Sequence, residues 1–243
     1  MSNFGSQYAI LYDLFHENKN YKKEVDELLS LLNYPDPKSS ILDFGCGSGK
    51  HMYELSKMGF QVDGYDKSNE MIILAKKRVH NARFTSSLKE FTQRYAIVYS
   101  LFDVMSYQNS LLQLDQYFSE ISSVLEPGGI VVVDGWSQSG LKLSPPVMTN
   151  RSVIWQNRRI ERRVKPVLSK IEDIYNLEIS IWDEDIKIAC EIHSLRAWSL
   201  VEVVKVCARN NLELIDTFVP TQPMKKLQLN DWRFGVVLRS LTS

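Results

Sequence analysis

The feature that most constrains this chain is a glycine-rich turn set between an apolar strand and a helix. Ile41–Phe44 runs directly into Gly45-Cys46-Gly47-Ser48-Gly49, and a helical pattern follows from Lys50 to Met58. Glycine is needed where backbone must take positive φ or approach a ligand closely. The helix that opens there turns its free N–H groups toward the turn. Asp66 follows the second expected strand, Gln61–Tyr65, about 20 residues on, where an acidic group can accept both hydroxyls of a ribose. Dinucleotide sites add a third glycine that lets the helix pack beside pyrophosphate, but Lys50 follows Gly49 here. Asp43, at the end of the first strand just before the turn, would repel pyrophosphate and could help hold an ammonium through water or backbone groups. The turn therefore favours a cationic, amino-acid-bearing nucleoside over a nicotinamide dinucleotide. A tight strand–helix turn that binds nothing is the alternative, and Asp66 in register weighs against it.

The rest of the first half repeats the strand–helix alternation. Helical periodicity covers Asn69–Val79 and Leu111–Leu125. Strands are expected at Arg83–Thr85, Tyr95–Leu101 and Ile130–Asp134, the last two almost wholly apolar. Such alternation predicts a doubly wound, parallel α/β sheet. After Trp136 the period changes to two. Val153–Val167, Lys170–Ile181 and Ile186–Leu195 read as antiparallel strands, followed by a helix at Ser199–Asn210 and a final strand pair at Leu212–Val219 and Arg233–Ser240. The expected organisation is a single domain: an N-terminal helical lid (1–38), a core (39–136 and 197–243), and an antiparallel β insertion (137–196) over the acceptor site.

Equal numbers of basic and acidic residues, 29 each, leave no overall basic footprint, so nucleic acid is not an expected partner. Three widely spaced cysteines suit a reduced, cytoplasmic protein, and no spacing suggests a metal site. No apolar run is long enough to span a membrane, and the N-terminus lacks the pattern of a secretory leader.

Taken together, Ile41–Leu55, Gly64–Met71, the SLFDVMSY segment and LEPGGIVVVD resemble the class I S-adenosylmethionine-dependent methyltransferases, with their Rossmann-like sheet. The N-terminal YAILYDLFHENKNY resembles a narrower group, the nucleotide-sugar N-methyltransferases and relatives in antibiotic and surface-polysaccharide pathways. The resemblance implies S-adenosyl-L-methionine as cofactor. It implies Gly45, Cys46 and Gly47 along its methionine part, Asp66 on the ribose, Lys67 and Met71 flanking adenine, and Leu101 and Phe102 near the sulfur. Tyr12 and Tyr21 would close over it from the lid. Where such proteins often carry Gly-Asp after strand three, this chain has Ser86-Ser87, so Ser87 and the Leu88 backbone are left to meet adenine, as a weaker clamp.

Acceptor chemistry needs alignment and exclusion of water, with a base if the nucleophile carries a proton. Tyr107 lies just past strand four, where the resembling proteins tend to have histidine, and reads either as an orienting group or as a rim aromatic. His193 is the second catalytic candidate. Asp103, Trp136 and Arg196 are candidate acceptor contacts, each with a structural alternative. Arg158, Arg159, Arg162, Arg163 and Lys165 form a basic run, which is either a solvated strand face or, through Arg158 and Arg162, a site for a phosphorylated acceptor. His51 is expected near the cofactor at most, and His16 and His80 at the surface. The expected activity is methyl transfer to N or O of a small polar acceptor, a nucleotide sugar or surface-glycan precursor. A methyltransferase of another small metabolite, a non-catalytic cofactor-binding protein and a nicotinamide oxidoreductase are the alternatives. A homodimer is left open.

Overall fold

A computed structural model of the chain describes residues 6–241; residues 1–5 of the expected lid lie outside them. The N-terminal segment forms helices α1 (Ser6–Phe15) and α2 (Tyr21–Leu31). The core then alternates β1 (Ile41–Phe44), α3 (Lys50–Lys57), β2 (Val62–Tyr65), α4 (Asn69–Arg78), β3 (Phe84–Thr85), β4 (Tyr95–Ser100), α5 (Leu111–Val124) and β5 (Leu125–Trp136). A short helix α6 (Gln138–Leu143) leads to strands β6 (Thr149–Trp155), β7 (Arg158–Val167), β8 (Ile174–Asp183) and β9 (Ile186–Arg196). The chain closes with α7 (Leu200–Arg209), β10 (Leu212–Phe218) and β11 (Arg233–Ser240).

The main sheet has seven strands in the order β10-β11-β5-β4-β1-β2-β3. The strands from β5 to β3 are parallel, and β11 pairs antiparallel with both β5 and β10. Alternating side chains feed two apolar layers. Val131 and Val133 face α5 and α7, against Leu114, Phe118, Val203 and Val206. Val132 faces the opposite layer with Leu28, Met52, Leu55 and Ile72 from α2, α3 and α4. Burial on both faces explains why these strands read as unbroken apolar runs. Local chemistry fixes the helix starts: Ser68 and Ser110 cap α4 and α5, and Ser199 with Glu202 forms a reciprocal capping box at α7.

The chain winds outward through β1, β2 and β3, then returns to β4 on the other side of β1. The crevice at that reversal, beyond the carboxyl ends of β1 and β4, is where open α/β sheets bind ligands. Among the described residues no helix is long and apolar enough to cross a membrane.

The insertion has four antiparallel strands rather than the three expected. The expected strand Val153–Val167 is broken at Gln156-Asn157, both with positive φ (49° and 59°). That is the requirement of a two-residue hairpin turn, here met without the glycine that usually signals it. The strand expected from Lys170 starts only at Ile174, and β5 starts at Leu125 rather than Ile130. One face of this small sheet receives α1. Leu11 and Phe15 are buried against Ile160, Val164, Ile179 and Ile181, which by area stabilises the contact by about 2 kcal/mol for each large side chain.

Candidate functional site

A cavity of about 690 Å³ occupies the crevice, between the carboxyl ends of β1, β2 and β4 below and α1 with the insertion sheet above. Its floor is the glycine turn. The N–H groups of Gly45 and Cys46 both donate to the Tyr65 carbonyl, at 2.7 and 2.9 Å, which pins the turn to the end of β2. Gly45, Gly47 and Gly49 all have positive φ. At Gly45 a β-carbon would meet the Val104 side chain at 2.8 Å, so packing enforces glycine there. At Gly47 an added β-carbon would meet nothing within 4 Å, since that residue borders the cavity itself.

Asp66 faces the same floor. Its carboxylate accepts from the N–H of Gly47 and of Ser68, each at 2.8 Å. Each oxygen keeps further acceptor capacity, which a vicinal diol on the cavity side can use. Cys46, Lys67, Met71, Leu101 and Phe102 also line the cavity. Ser87 and Leu88 do not. The Ser87 N–H and C=O are engaged by the Thr85 side chain, and Leu88 packs against the core cluster. Asp43 is likewise turned away. It is buried, hydrogen-bonded by the Tyr99 hydroxyl at 2.9 Å, and burial pushes its carboxyl up to about 8, so at neutral pH it offers little charge to an ammonium.

The lip beyond β4 is strained. Phe102 and Asp103 are consecutive non-glycine residues with positive φ (70° and 67°), a conformation that persists only when surrounding contacts over-determine it. Those contacts come from Arg233 on β11, which donates to Asp103 at 2.7 Å and Asp134 at 2.8 Å, while the Asp103 N–H donates to Asp134. Asp103 borders the cavity, with its carboxylate committed to Arg233. The sequence gives no sign of Arg233, 130 residues downstream.

Helix α1 is tied down by Asp13. Its carboxylate accepts from Ser48 of the glycine turn and from Arg78 of α4, and its carbonyl accepts from Lys50 at 2.9 Å. Tyr12 and His16, one helical turn apart, stack at 4.2 Å and both line the cavity. His16 is therefore no surface residue; burial pushes its imidazole down to about 4. The Tyr12–His16 spacing was a signal for this, since residues four apart share a helix face. Tyr21 opens α2 and packs edge-on to His51, whose Nε2 meets Glu24 at 2.7 Å. Lys19 sits 3.4 Å from the centre of the Phe102 ring.

The roof brings together groups far apart in sequence. The Tyr107 hydroxyl lies 2.7 Å from His193 Nδ1, and His193 Nε2 lies 3.3 Å from Glu191. Tyr107, Trp136, Arg162 and His193 all border the cavity. Burial and the Arg162 guanidinium push the His193 imidazole down to about 4. The Arg162 Nε is buried with no hydrogen-bond partner among the described residues, a costly arrangement unless a ligand completes it. Arg158 does not join it. That side chain is half exposed at the end of β7 and pairs with Asp183 at 2.8 Å, while Arg159 and Arg163 alternate to the opposite face, toward Glu161. Arg196 also lies off the cavity, because His193 and Leu195 take the inward face of β9; it pairs with Glu202 and stacks 4.1 Å over Trp198. Among the described residues, no three His, Cys, Asp or Glu side chains converge as metal ligands.

Residues 41–129 match the methyltransferase-domain family. A curated relative from Streptomyces venezuelae, dTDP-3-amino-3,4,6-trideoxy-alpha-D-glucopyranose N,N-dimethyltransferase, is 30% identical over 135 residues, 53% of this chain and 57% of that protein. The chain thus aligns over little more than half the length of the curated relatives it matches. The fold is shared over the whole chain. The CcbJ methyltransferase of Streptomyces caelestis superposes with a TM-score of 0.80 over 100% of both chains at 16% identity. Streptomyces venezuelae DesVI does so with a TM-score of 0.74 over 94% of this chain and 97% of its own, at 21% identity.

Proposed function

We propose that this chain, a methyltransferase-domain protein of the Rossmann-like S-adenosylmethionine-dependent class, methylates the amino group of a nucleotide-activated sugar. The observation that carries the reading is the cavity itself. One end is a positive-φ glycine turn with the half-buried Asp66 carboxylate beside it, and the other is a polar wall of Tyr107, His193 and Arg162 under the N-terminal helix. The name of the Streptomyces venezuelae relative supplies the acceptor class.

The glycine turn fits S-adenosylmethionine because Gly47 leaves open space where any side chain would project, and Asp66 retains capacity for ribose hydroxyls. Gly45, Cys46 and Gly47 would hold the methionine part, Asp66 the ribose, Lys67 and Met71 the adenine. Leu101 and Phe102 would wall the reacting end, with Tyr12 and Tyr21 excluding water from above. When bound, the cofactor supplies a methyl group made electrophilic by its sulfonium. The protein then has to align the acceptor nitrogen and exclude water. Arg162 suits an anionic group of the acceptor, with a planar fork that matches phosphate. We place the enzyme in the cytoplasm, in line with its three unpaired cysteines, and its product among antibiotic or surface-glycan precursors.

The test is direct. Calorimetry should show binding of S-adenosylhomocysteine, and labelled S-adenosylmethionine should transfer its methyl to dTDP-3-amino-3,4,6-trideoxyglucose, the sugar in that relative's name. Tight binding of a nicotinamide dinucleotide with no response to S-adenosylhomocysteine would overturn the cofactor. Cofactor binding with no transfer to any amino sugar would overturn the acceptor.

A further inference from the structure

A carboxylate of α5 borders the cavity with one of its oxygens unused. Glu120 Oε1 accepts from the Gln116 side chain at 3.1 Å, while Oε2 is covered and meets no donor among the described residues. We propose that Glu120 binds the 6-amino group of the cofactor's adenine, and so supplies from α5 a contact that the segment after β3 does not make. The inference rests on S-adenosylmethionine as the cofactor.

The order of groups along the cavity puts Glu120 at the base. The glycine turn meets the methionine part and Asp66 the ribose, so the adenine lies beyond Asp66, away from the turn. Lys67, Ser68 and Met71 border the cavity on one side there. On the other side α5 presents Gln113, Gln116, Tyr117 and Glu120, whose spacing is that of one stripe along a helix. Tyr65, at the end of β2, connects the two sides: its ring packs on Phe44, and Phe44 packs edge-on to Tyr117. Burial pushes the Tyr65 phenol up to about 12, and the negative charges of Glu120 and Asp66 add to that rise. Both carboxylates are therefore within electrostatic reach of one hydroxyl, which places Glu120 one step past the ribose.

The chemistry of this carboxylate selects an amine. Adenine carries its donors on the 6-amino group, and its ring nitrogens in a nucleoside are acceptors. An ionised carboxylate only accepts, so Glu120 pairs with the amino group and with no ring nitrogen. A covered oxygen without a donor is costly, and a ligand amine removes that cost. The terminal torsion of a glutamate is broad, so the carboxylate can turn an oxygen toward a donor entering from the cavity. Neighbouring groups are committed or of the wrong kind. The Ser68 hydroxyl is held between the Met71 N–H and Glu70, Lys67 has donors only, and the Ser87 N–H and C=O are engaged by Thr85. Gln116, by donating to Oε1, fixes how the carboxylate sits on α5.

Calorimetry with two ligands tests this: S-adenosylhomocysteine and its analogue with hydrogen in place of the 6-amino group. The full-length wild type should bind the first at least about 10-fold more tightly, the loss of one hydrogen bond to a charged group. Glu120→Ala should reduce that ratio to within about 2-fold, and Glu120→Gln, which keeps a neutral carbonyl acceptor, should leave it in between. Comparing the two ligands across the variants isolates the pair contact, because a general loss of structure weakens both ligands alike. A wild type that binds both ligands equally, or a ratio unchanged in both variants, overturns the role of Glu120 and leaves the cofactor in place. Binding of neither ligand by the wild type overturns the cofactor reading, and this inference with it.

Discussion

The two walls of the cavity are built in opposite ways. The glycine-turn wall comes from one βαβ unit: Gly45 to Met71 supply its backbone turn, its carboxylate and an apolar flank, joined by contacts between near neighbours. The roof comes from α1, the segment after β4, β7 and β9, whose meeting residues lie far apart, as Tyr107 and His193 do at 86 positions. A site made by one local unit can be recognised as a motif. A site made by convergence has no motif of its own, because each contributor is a lone residue on an otherwise ordinary element.

The difference should be visible first in pH dependence. Below the glycine turn, burial raises the Asp43 carboxyl to about 8. A raised carboxyl favours the native state while protonated and costs stability as pH climbs from its unfolded value toward 8. Asp43→Asn should therefore gain stability over wild type with rising pH, by a few kcal/mol between pH 5 and 8 in chemical denaturation. A constant difference would show that Asp43 carries no such shift. The roof responds the other way. His193, lowered to about 4, costs stability as pH falls below about 6.5, because the unfolded chain takes the proton first. The loss should approach about 3 kcal/mol by pH 4 and be absent in His193→Gln. Equal acid sensitivity of the two proteins would remove His193 as the cause.

Ligand affinities sharpen the same contrast. Asp66→Ala should weaken S-adenosylhomocysteine by about 2–3 kcal/mol, the loss of charge-assisted hydrogen bonds, with little effect on acceptor KM. Arg162→Ala should do the reverse, raising acceptor KM by about 1–2 kcal/mol in equivalent energy and sparing the cofactor. Arg158→Ala, whose side chain pairs with Asp183 away from the cavity, should change either quantity by less than about 0.5 kcal/mol. If Arg158→Ala and Arg162→Ala behave alike, the two walls are not separated as described.

The amino-acid sequence alone makes legible the succession of strands and helices in the core, the parallel sheet, the glycine turn and Asp66 in register with it. Those are consequences of local chemistry: periodicity of apolar residues, capping serines, and glycine where backbone needs positive φ. It also marked Tyr107, His193 and Arg162 as candidates, but only as single residues with a structural alternative beside each. Tertiary structure decided which of them meet. The turn at Gln156-Asn157 starts a separate strand, and that sets the register of β7 against β6. With a side-chain period of two, register decides which arginine of the basic run faces the cavity, and a slip of one residue would replace Arg162 by Glu161 or Arg163. Asp13 and Arg233 stayed invisible for the same reason: each acts through a partner that only the folded chain brings within reach, and no local pattern encodes a pairing made by distant backbone.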